Sequence, residues 1–376
     1  MNLANLEEIL LEIPIPKPGL KPAWTPGIVL TSSKITLIKL TTDEGLEGYG
    51  VGTALGENLN QFLETVPIPL ILGWIGEPFG IEKIMKLLRI AANIGPRPFA
   101  LEMALWDLIG KICKQPIYKL LGGFQDKVKA YCSTAELKPV NKMVKDAQDA
   151  VEMGFKGIKL RARRTNLSKD IEVVRAVRDA VGDDIAIMVD ANQAWGHLPP
   201  LWSVKTAMTF GKVLDKIEAT WLEEPLHEQN IQGLKKLRET IQTPIAGGEL
   251  GNGIYFYRDL LVNDIYDIIQ ADITFSGGIL ECRKIAGMCE AFCKELIPHA
   301  WNNGFAIAAT LQLIGAIPNC SWLEFPYAPP CWTPEVRDTL LKDPITIDKR
   351  GYVAIPKKPG IGVDLDWDKI EKYRIN

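Results

Sequence analysis

The spacing of apolar residues changes twice along this chain. In KITLIKLTTDEGLEGYGVG, residues 34–52, the pattern reads as two strands joined by an Asp-Glu-Gly turn. Ahead of it, KPGLKPAWTPG (17–27) is a Pro/Gly-rich loop carrying Trp24. After it the apolar positions recur at three and four, most clearly in PFALEMALWDLIGKICKQ (98–115), and Gly122-Gly123 closes the next short segment. Residues 1–125 therefore read as an α+β unit, strands first and helices after.

From residue 126 short apolar runs alternate with helical patterns. Strands are predicted at 128–134, 155–161, 185–190, 219–224, 243–249, 267–272, 295–298 and 321–325. Helices are predicted between them at 140–155, 171–181, 206–217, 231–241, 255–264, 279–293 and 305–317. Such alternation demands a parallel sheet, and eight units predict a closed (β/α)8-type barrel over 126–325. The tail, 326–376, is rich in Pro and Gly and lacks this rhythm. It is expected to run back along the N-terminal unit.

Composition narrows the function. Of 376 residues, 47% are hydrophobic and 24% charged, with a formal charge of −3. That balance excludes general disorder and supplies no basic field for nucleic acid. No apolar run reaches the roughly 18–20 residues of a membrane span. The N-terminus lacks a basic region before its apolar residues, so no secretory signal is expected. The seven Cys are scattered, without a CxxC pair, and read as reduced structural thiols of a cytoplasmic protein.

The polar residues that end the predicted strands carry the chemistry. Lys159, Asp190, Glu223, Glu249, Asp272, His299 and Glu324 follow one another at gaps of 31, 33, 26, 23, 27 and 25 residues. Each gap is about one β/α unit, so these side chains converge on the C-terminal mouth of the barrel. Asp190, Glu223 and Glu249 make an all-oxygen set suited to octahedral Mg²⁺ and unsuited to zinc. Arg161 shares the inward face of Lys159, because side chains alternate along a strand.

The ordered set KLR, MVDANQ, WLEEPL, GGELG, QADITFSGGI, PHAWNNG and WLEF resembles the mandelate racemase subgroup of the enolase superfamily. RPFALEMALWDLIGKICKQPIYKLLGG (97–123) resembles the segment before the barrel in that superfamily. The resemblance implies an α+β capping domain, from the N-terminal part and the chain's end, closing over the barrel. It implies Mg²⁺-assisted removal of a proton α to a carboxylate, a small-molecule acid as partner, and a homo-oligomer. Glu223 would be the metal ligand of its pair, with Glu224 behind it or salt-bridged. His299 would be the acid/base and Asp272 its orienting partner. Lys159 would contact the substrate carboxylate, and Glu324 would hydrogen-bond the substrate. Trp24 and the segment 50–56 match two loops that close such sites. Trp301, with Asn302 and Asn303, would add hydroxyl contacts.

Two departures shape the expected reaction. The subgroup usually has Lys-x-Lys on the second strand, with the second Lys as a base; here that position is Arg161. A guanidinium stays protonated and is a poor base, so it suits a ligand for carboxylate or hydroxyl. Asn192, expected to contact substrate, stands where a galactonate dehydratase pattern has His. A racemase needs an acid/base on both faces of the enediolate. Dehydration of a sugar acid needs only one, if elimination is syn and His299 acts twice. The expectation is therefore an acid-sugar dehydratase, a hydro-lyase giving a 2-keto-3-deoxy acid. The alternatives are a racemase or epimerase of a 2-hydroxy or amino acid, and a barrel that binds acids without turnover. A cycloisomerase would want Lys where this chain has Asp272. His197 and His227 lie in loops beyond strands three and four, within reach of substrate or facing solvent.

Overall fold

The computed structural model describes residues 1–52, 68–94, 97–195 and 198–375. The N-terminal sheet has three antiparallel strands in the order β1 (Leu3–Pro14), β2 (Ser32–Thr42), β3 (Glu47–Gly52). The expected hairpin is β2–β3. β1 is longer than anything the sequence pattern announced, because its Glu-Glu and Leu-Leu pairs blur the alternation. Its register with β2 still buries Ile9, Leu11 and Ile13 on one side. Helices α1 (Ile68–Ile75), α2 (Ile81–Ile94), α3 (Ala100–Ile112) and the short α4 (Ile117–Leu120) follow. Gly48 and Gly50 let α3 lie directly on β3: a Cβ at either position would run into the helix backbone at Ala104 or Ala100.

The second body is a (β/α)8-type barrel. Its strands are β4 (Lys127–Ser133), β5 (Gly157–Arg161), β6 (Ala186–Asp190), β7 (Trp221–Glu223), β8 (Ile245–Gly247), β9 (Ile268–Ile269), β10 (Glu295–Leu296) and β11 (Trp322–Pro326). They pair in parallel in the order β10-β9-β8-β7-β6-β5-β4-β11. At the seam, Leu296 N–H donates to the Asn319 carbonyl at 2.9 Å. The crossovers are α5 (Val140–Glu152), α6 (Leu167–Val181), α7 (Val204–Lys216), α8 (Ile231–Arg238), α9 (Gly253–Val262), α10 (Gly278–Ala291) and α11 (Gly304–Ala316). Side chains of Asn166, Ser203, Asn230 and Asn303 cap four of them by accepting a backbone N–H.

The tail packs on both bodies. It forms α12 (Pro334–Arg337), β12 (Tyr352–Ala354), antiparallel to β4, and α13 (Trp367–Tyr373). Asp107 of α3 accepts from Ile361 N–H at 2.8 Å and from Tyr49 N–H at 3.0 Å, holding tail and sheet together. Arg374 bridges to Leu11 of β1. All seven cysteines are free. No helix among the described residues is long and apolar enough to cross a membrane.

Strand alternation divides the barrel interior into layers. Tyr131, Met188, Trp221, Ala246, Ile268 and Ile297 form a buried apolar cluster toward the N-terminal end, with Trp322 against it. Two residues further along the same strands stand Ser133, Asp190, Glu223, Gln270, His299 and Glu324. The polar site rests on an apolar floor.

Gly50→Ala should lower unfolding stability by roughly 3 kcal/mol, the upper end for overpacking, since backbone cannot give way as a side chain can. Urea unfolding with unchanged stability would show that the contact between β3 and α3 yields.

Candidate active site

The upper layer is a network of buried charges. Lys159 Nζ lies 2.6 Å from Glu223 Oε1, 2.8 Å from Glu324 Oε1 and 3.9 Å from Asp190 Oδ2, with all four side chains 0% exposed. Glu223 Oε2 accepts from Trp221 Nε1 at 2.9 Å and Gln270 Nε2 at 2.8 Å. Burial works against the Glu223 charge, yet Lys159 beside it holds this carboxyl below the usual range. Glu324 accepts from Ser133 Oγ at 2.6 Å and Ala300 N–H at 2.7 Å. There too the desolvation cost is overcome, chiefly by Lys159 and then His299, and the carboxyl is held low.

Arg161 is locked. It pairs with Asp190, donates from Nε to the Thr134 carbonyl at 2.7 Å and from Nη2 to Ser133 Oγ at 3.2 Å. Its guanidinium carbon lies 5.0 Å from the Trp24 ring centroid and 5.5 Å from that of Trp301. The two indoles meet edge to face at 5.2 Å, and Trp301 stacks on Trp332 at 6.3 Å. The Pro/Gly-rich loop is thus seated over the barrel mouth. Backbone bonds hold it there too, with Ala23 N–H on the Ala135 carbonyl at 2.9 Å.

His299 and Asp272 meet at 2.7 Å through Nδ1 and Oδ2. Thr274 fixes the other oxygen of Asp272, donating from N–H and Oγ1 at 2.6 Å each. His299 Nε2 faces Glu249 Oε2 at 3.5 Å and Glu324 Oε2 at 3.9 Å. Burial would depress the imidazole, but Glu249, Glu324 and the Asp272 hydrogen bond hold it up at about 10.

Lys159, Asp190, Glu223, Glu249, Asp272, His299 and Glu324 are therefore brought together, with Arg161, Trp24 and Trp301 above them. Asn192 is placed differently from the expectation. It has φ of 47° and donates to Asp190, from N–H at 2.7 Å and from Nδ2 at 2.8 Å, so its amide braces Asp190. Asn303 serves as the cap of α11, and Asn302 donates to Thr274 Oγ1 at 3.4 Å. His227 Nδ1 accepts from Gln229 N–H in its own exposed loop at 3.2 Å. His197 and residues 53–56 of the second loop lie outside the described residues. Ser133, Trp195 and Gln270 were missed. Ser133 and Gln270 could have been found as the positions two beyond Tyr131 and Ile268. Nothing local marks Trp195, which donates from Nε1 to Glu249 Oε1 at 3.1 Å.

Of the two places expected for Glu224, a salt bridge is not found among the described residues. Glu224 is buried at φ of 44°, its Oε2 has no hydrogen-bond partner, and among the described residues no cation pairs with it. The site is short of positive charge. Burial and then Glu223 push Asp190 up to about 8, even with Arg161 and Lys159 opposing. Burial also raises Glu249, and it raises Glu224 furthest, reinforced by the neighbouring carboxylates. Among the described residues no three acids or His stand as an open ligating group, because Lys159 and Arg161 lie between the carboxylates. The donor chemistry nonetheless fits a hard divalent cation: oxygen ligands from consecutive strands, an orphaned buried oxygen and a deficit of positive charge.

The chain is similar to known proteins over most of its length. The family described as "Mandelate racemase / muconate lactonizing enzyme, N-terminal domain" matches residues 15–122, and "Enolase C-terminal domain-like" matches residues 142–369. Arabinonate dehydratase of Saccharolobus solfataricus is 31% identical over 93% of this chain and 92% of its own length. L-talarate/galactarate dehydratase of Salmonella typhimurium is 32% identical over 78% of this chain and 73% of its own. The hydrophobic dipeptide epimerase of Enterococcus faecalis is 31% identical over 69% and 73%. Among solved structures, D-glucarate dehydratase from Agrobacterium tumefaciens, complexed with magnesium, superposes with a TM-score of 0.82 at 27% identity, covering 100% of both chains.

Lys159→Met should destabilise the fold by about 3–5 kcal/mol, because Glu223 and Glu324 would remain buried without their ammonium. A denaturation midpoint equal to wild type would mean that these carboxylates are not charged in the folded state.

Proposed function

The chain belongs to the mandelate racemase subgroup of the enolase superfamily, and on that premise we propose that it is a magnesium-dependent dehydratase of a sugar acid. Asp190, Glu223 and Glu249 would hold the Mg²⁺, which stabilises negative charge developing on the substrate carboxylate. Lys159, between Glu223 and Glu324, contacts that same carboxylate. Asp272 orients His299 through Nδ1 and leaves Nε2 toward the centre of the site. With the Glu249 charge that keeps the imidazole protonated taken up by a divalent cation, His299 would be neutral and take the α-proton; the resulting imidazolium returns it to the departing β-hydroxyl on the same face. The C–H and C–O bonds break, a C=C bond forms, water leaves, and the enol becomes the 2-keto-3-deoxy acid. Trp24 screens the site from solvent, and Arg161 binds a substrate hydroxyl or distal carboxylate once the loop opens.

The immobilised Arg161 carries this reading. It occupies the position from which a second base would act, and paired with Asp190 its guanidinium is held even further toward the charged form. One proton-transfer face supports elimination and does not support two-base inversion. The names of two relatives, arabinonate and L-talarate/galactarate dehydratase, point to the substrate class. The epimerase relative keeps racemisation or epimerisation as the second reading.

Purified protein with Mg²⁺, screened against mono- and di-acid sugars, should give a semicarbazide-reactive product that EDTA abolishes. A blank screen together with deuterium uptake at Cα from D₂O would establish the second reading instead. On the substrate so found, His299→Asn should lower kcat by about 10²–10⁴-fold while Mg²⁺ binding persists. Full activity of that variant would remove His299 from the reaction.

A further inference from the structure

Two residues of the segment before the barrel reach the loops behind Glu249 and Asp272. Arg97, half-buried, uses one nitrogen for both: Nη1 donates to the Leu250 carbonyl at 2.8 Å and to the Phe275 carbonyl at 3.1 Å. Leu250 follows Glu249 directly. Phe275 N–H closes the turn on the Asp272 carbonyl at 3.1 Å. Glu102, fully buried in α3, accepts from Ile279 N–H at 2.9 Å and Leu280 N–H at 2.8 Å. Trp106 Nε1 donates to the same carboxylate at 2.8 Å. The first turn of α10 begins at Gly277, which has no side chain to cap it, so a distant residue supplies the acceptor.

The sequence around this junction is shaped by the contact. Gly278 has φ of 77°, and a Cβ there would run into the Glu102 carboxylate. Gly277 has φ of 138°, and a Cβ there would run into Glu281. The Gly-Gly step of QADITFSGGI is thus the imprint of two carboxylates.

The loops need bracing. β8 has three residues and β9 only two, so few ladder bonds hold their ends. Gly247 and Gly248 precede Glu249, the second at φ of 101°. Ser276 ties them directly, its carbonyl accepting from Gly253 N–H at 3.0 Å and its Oγ reaching the Glu249 carbonyl at 3.5 Å, and the Tyr257 hydroxyl joins the Gly248 carbonyl and Ser276 Oγ at 2.6 Å each. Arg97 joins the same two loops from the capping side. Glu249 and Asp272 then meet across one ring, at 3.5 and 2.7 Å from His299. Any slip between the loops moves both contacts together.

We propose that Arg97 and Glu102 are positioning residues through which the capping unit sets the spacing of the Glu249 and Asp272 loops, and with it the divalent-cation affinity of the site. The second half of this statement rests on the cation reading given above.

Hydrogen exchange and Mn²⁺ titration on the full chain separate the two halves. Arg97→Ala should speed exchange in residues 249–253 and 273–280 while β5 to β7 keep their protection. It should weaken Mn²⁺ binding by roughly tenfold, the low end for residues that orient metal ligands, because the ties through Ser276 and Tyr257 remain. Arg97→Lys should restore most of the affinity, since one ammonium can serve both carbonyls. Glu102→Gln places an amide against backbone donors and should loosen 277–280 in the same way. Lys284→Ala breaks an exposed ion pair with Glu82 at the same interface and should leave both readouts at wild type. Unchanged loop exchange in Arg97→Ala overturns the brace. Faster exchange with unchanged Mn²⁺ affinity overturns the positioning role. A wild type that takes up no Mn²⁺ overturns the cation reading, and the exchange comparison still decides whether the brace exists.

Discussion

Placing several carboxylates within one dry barrel is the constraint to which the rest of this structure answers. Lys159 resolves part of it, lying between Glu223 and Glu324 with no solvent contact. Arg161 resolves another part at Asp190, and His299 faces Glu249 and Glu324. Arg161 is itself tied by the neutral groups Thr134 and Ser133, and His299 by the Asp272 carboxylate, which Thr274 backs. Glu224 is left over, buried with no cation paired to it among the described residues, and its strained backbone belongs to the same compromise.

The arrangement of Arg161 shows how one substitution narrows chemistry. A Lys at this position could lose its proton when buried; a guanidinium cannot. Here it is also gripped on its faces by Trp24 and Trp301. The group that would supply a second base has become an anchor for the loop that covers the site. On the proposed reading, reaction class and loop closure are coupled through one side chain.

Much of this was legible in the sequence because strand alternation is a rigid rule. Knowing that Lys159 and Arg161 face inward needs only the period of two, and the ordered gaps from Lys159 to Glu324 need only the β/α repeat. Even β9 and β10, two residues each, lie within the short apolar runs that predict strands at 267–272 and 295–298. What stayed hidden depends on contacts between distant segments. Trp24 meets Arg161 from far along the chain, and Trp195 meets Glu249 with no local mark. The brace that Asn192 gives Asp190 stayed hidden for a related reason. Its position fitted a substrate ligand, but its left-handed backbone turns the amide onto Asp190. β1 was obscured by paired Glu and Leu residues that hide its period, and tertiary pairing with β2 overrides that local ambiguity.

The apolar floor beneath the site has a consequence for traffic. Tyr131, Trp221 and Trp322 fit edge to face, and Met188, Ile268 and Ile297 fill the space among them. Such a plug closes that end, so among the described residues the way to the site lies at the opposite mouth of the barrel. An acid entering, and everything formed from it, must pass the same threshold at Trp24. Turnover is then a queue at one entrance, where the departure of one guest admits the next.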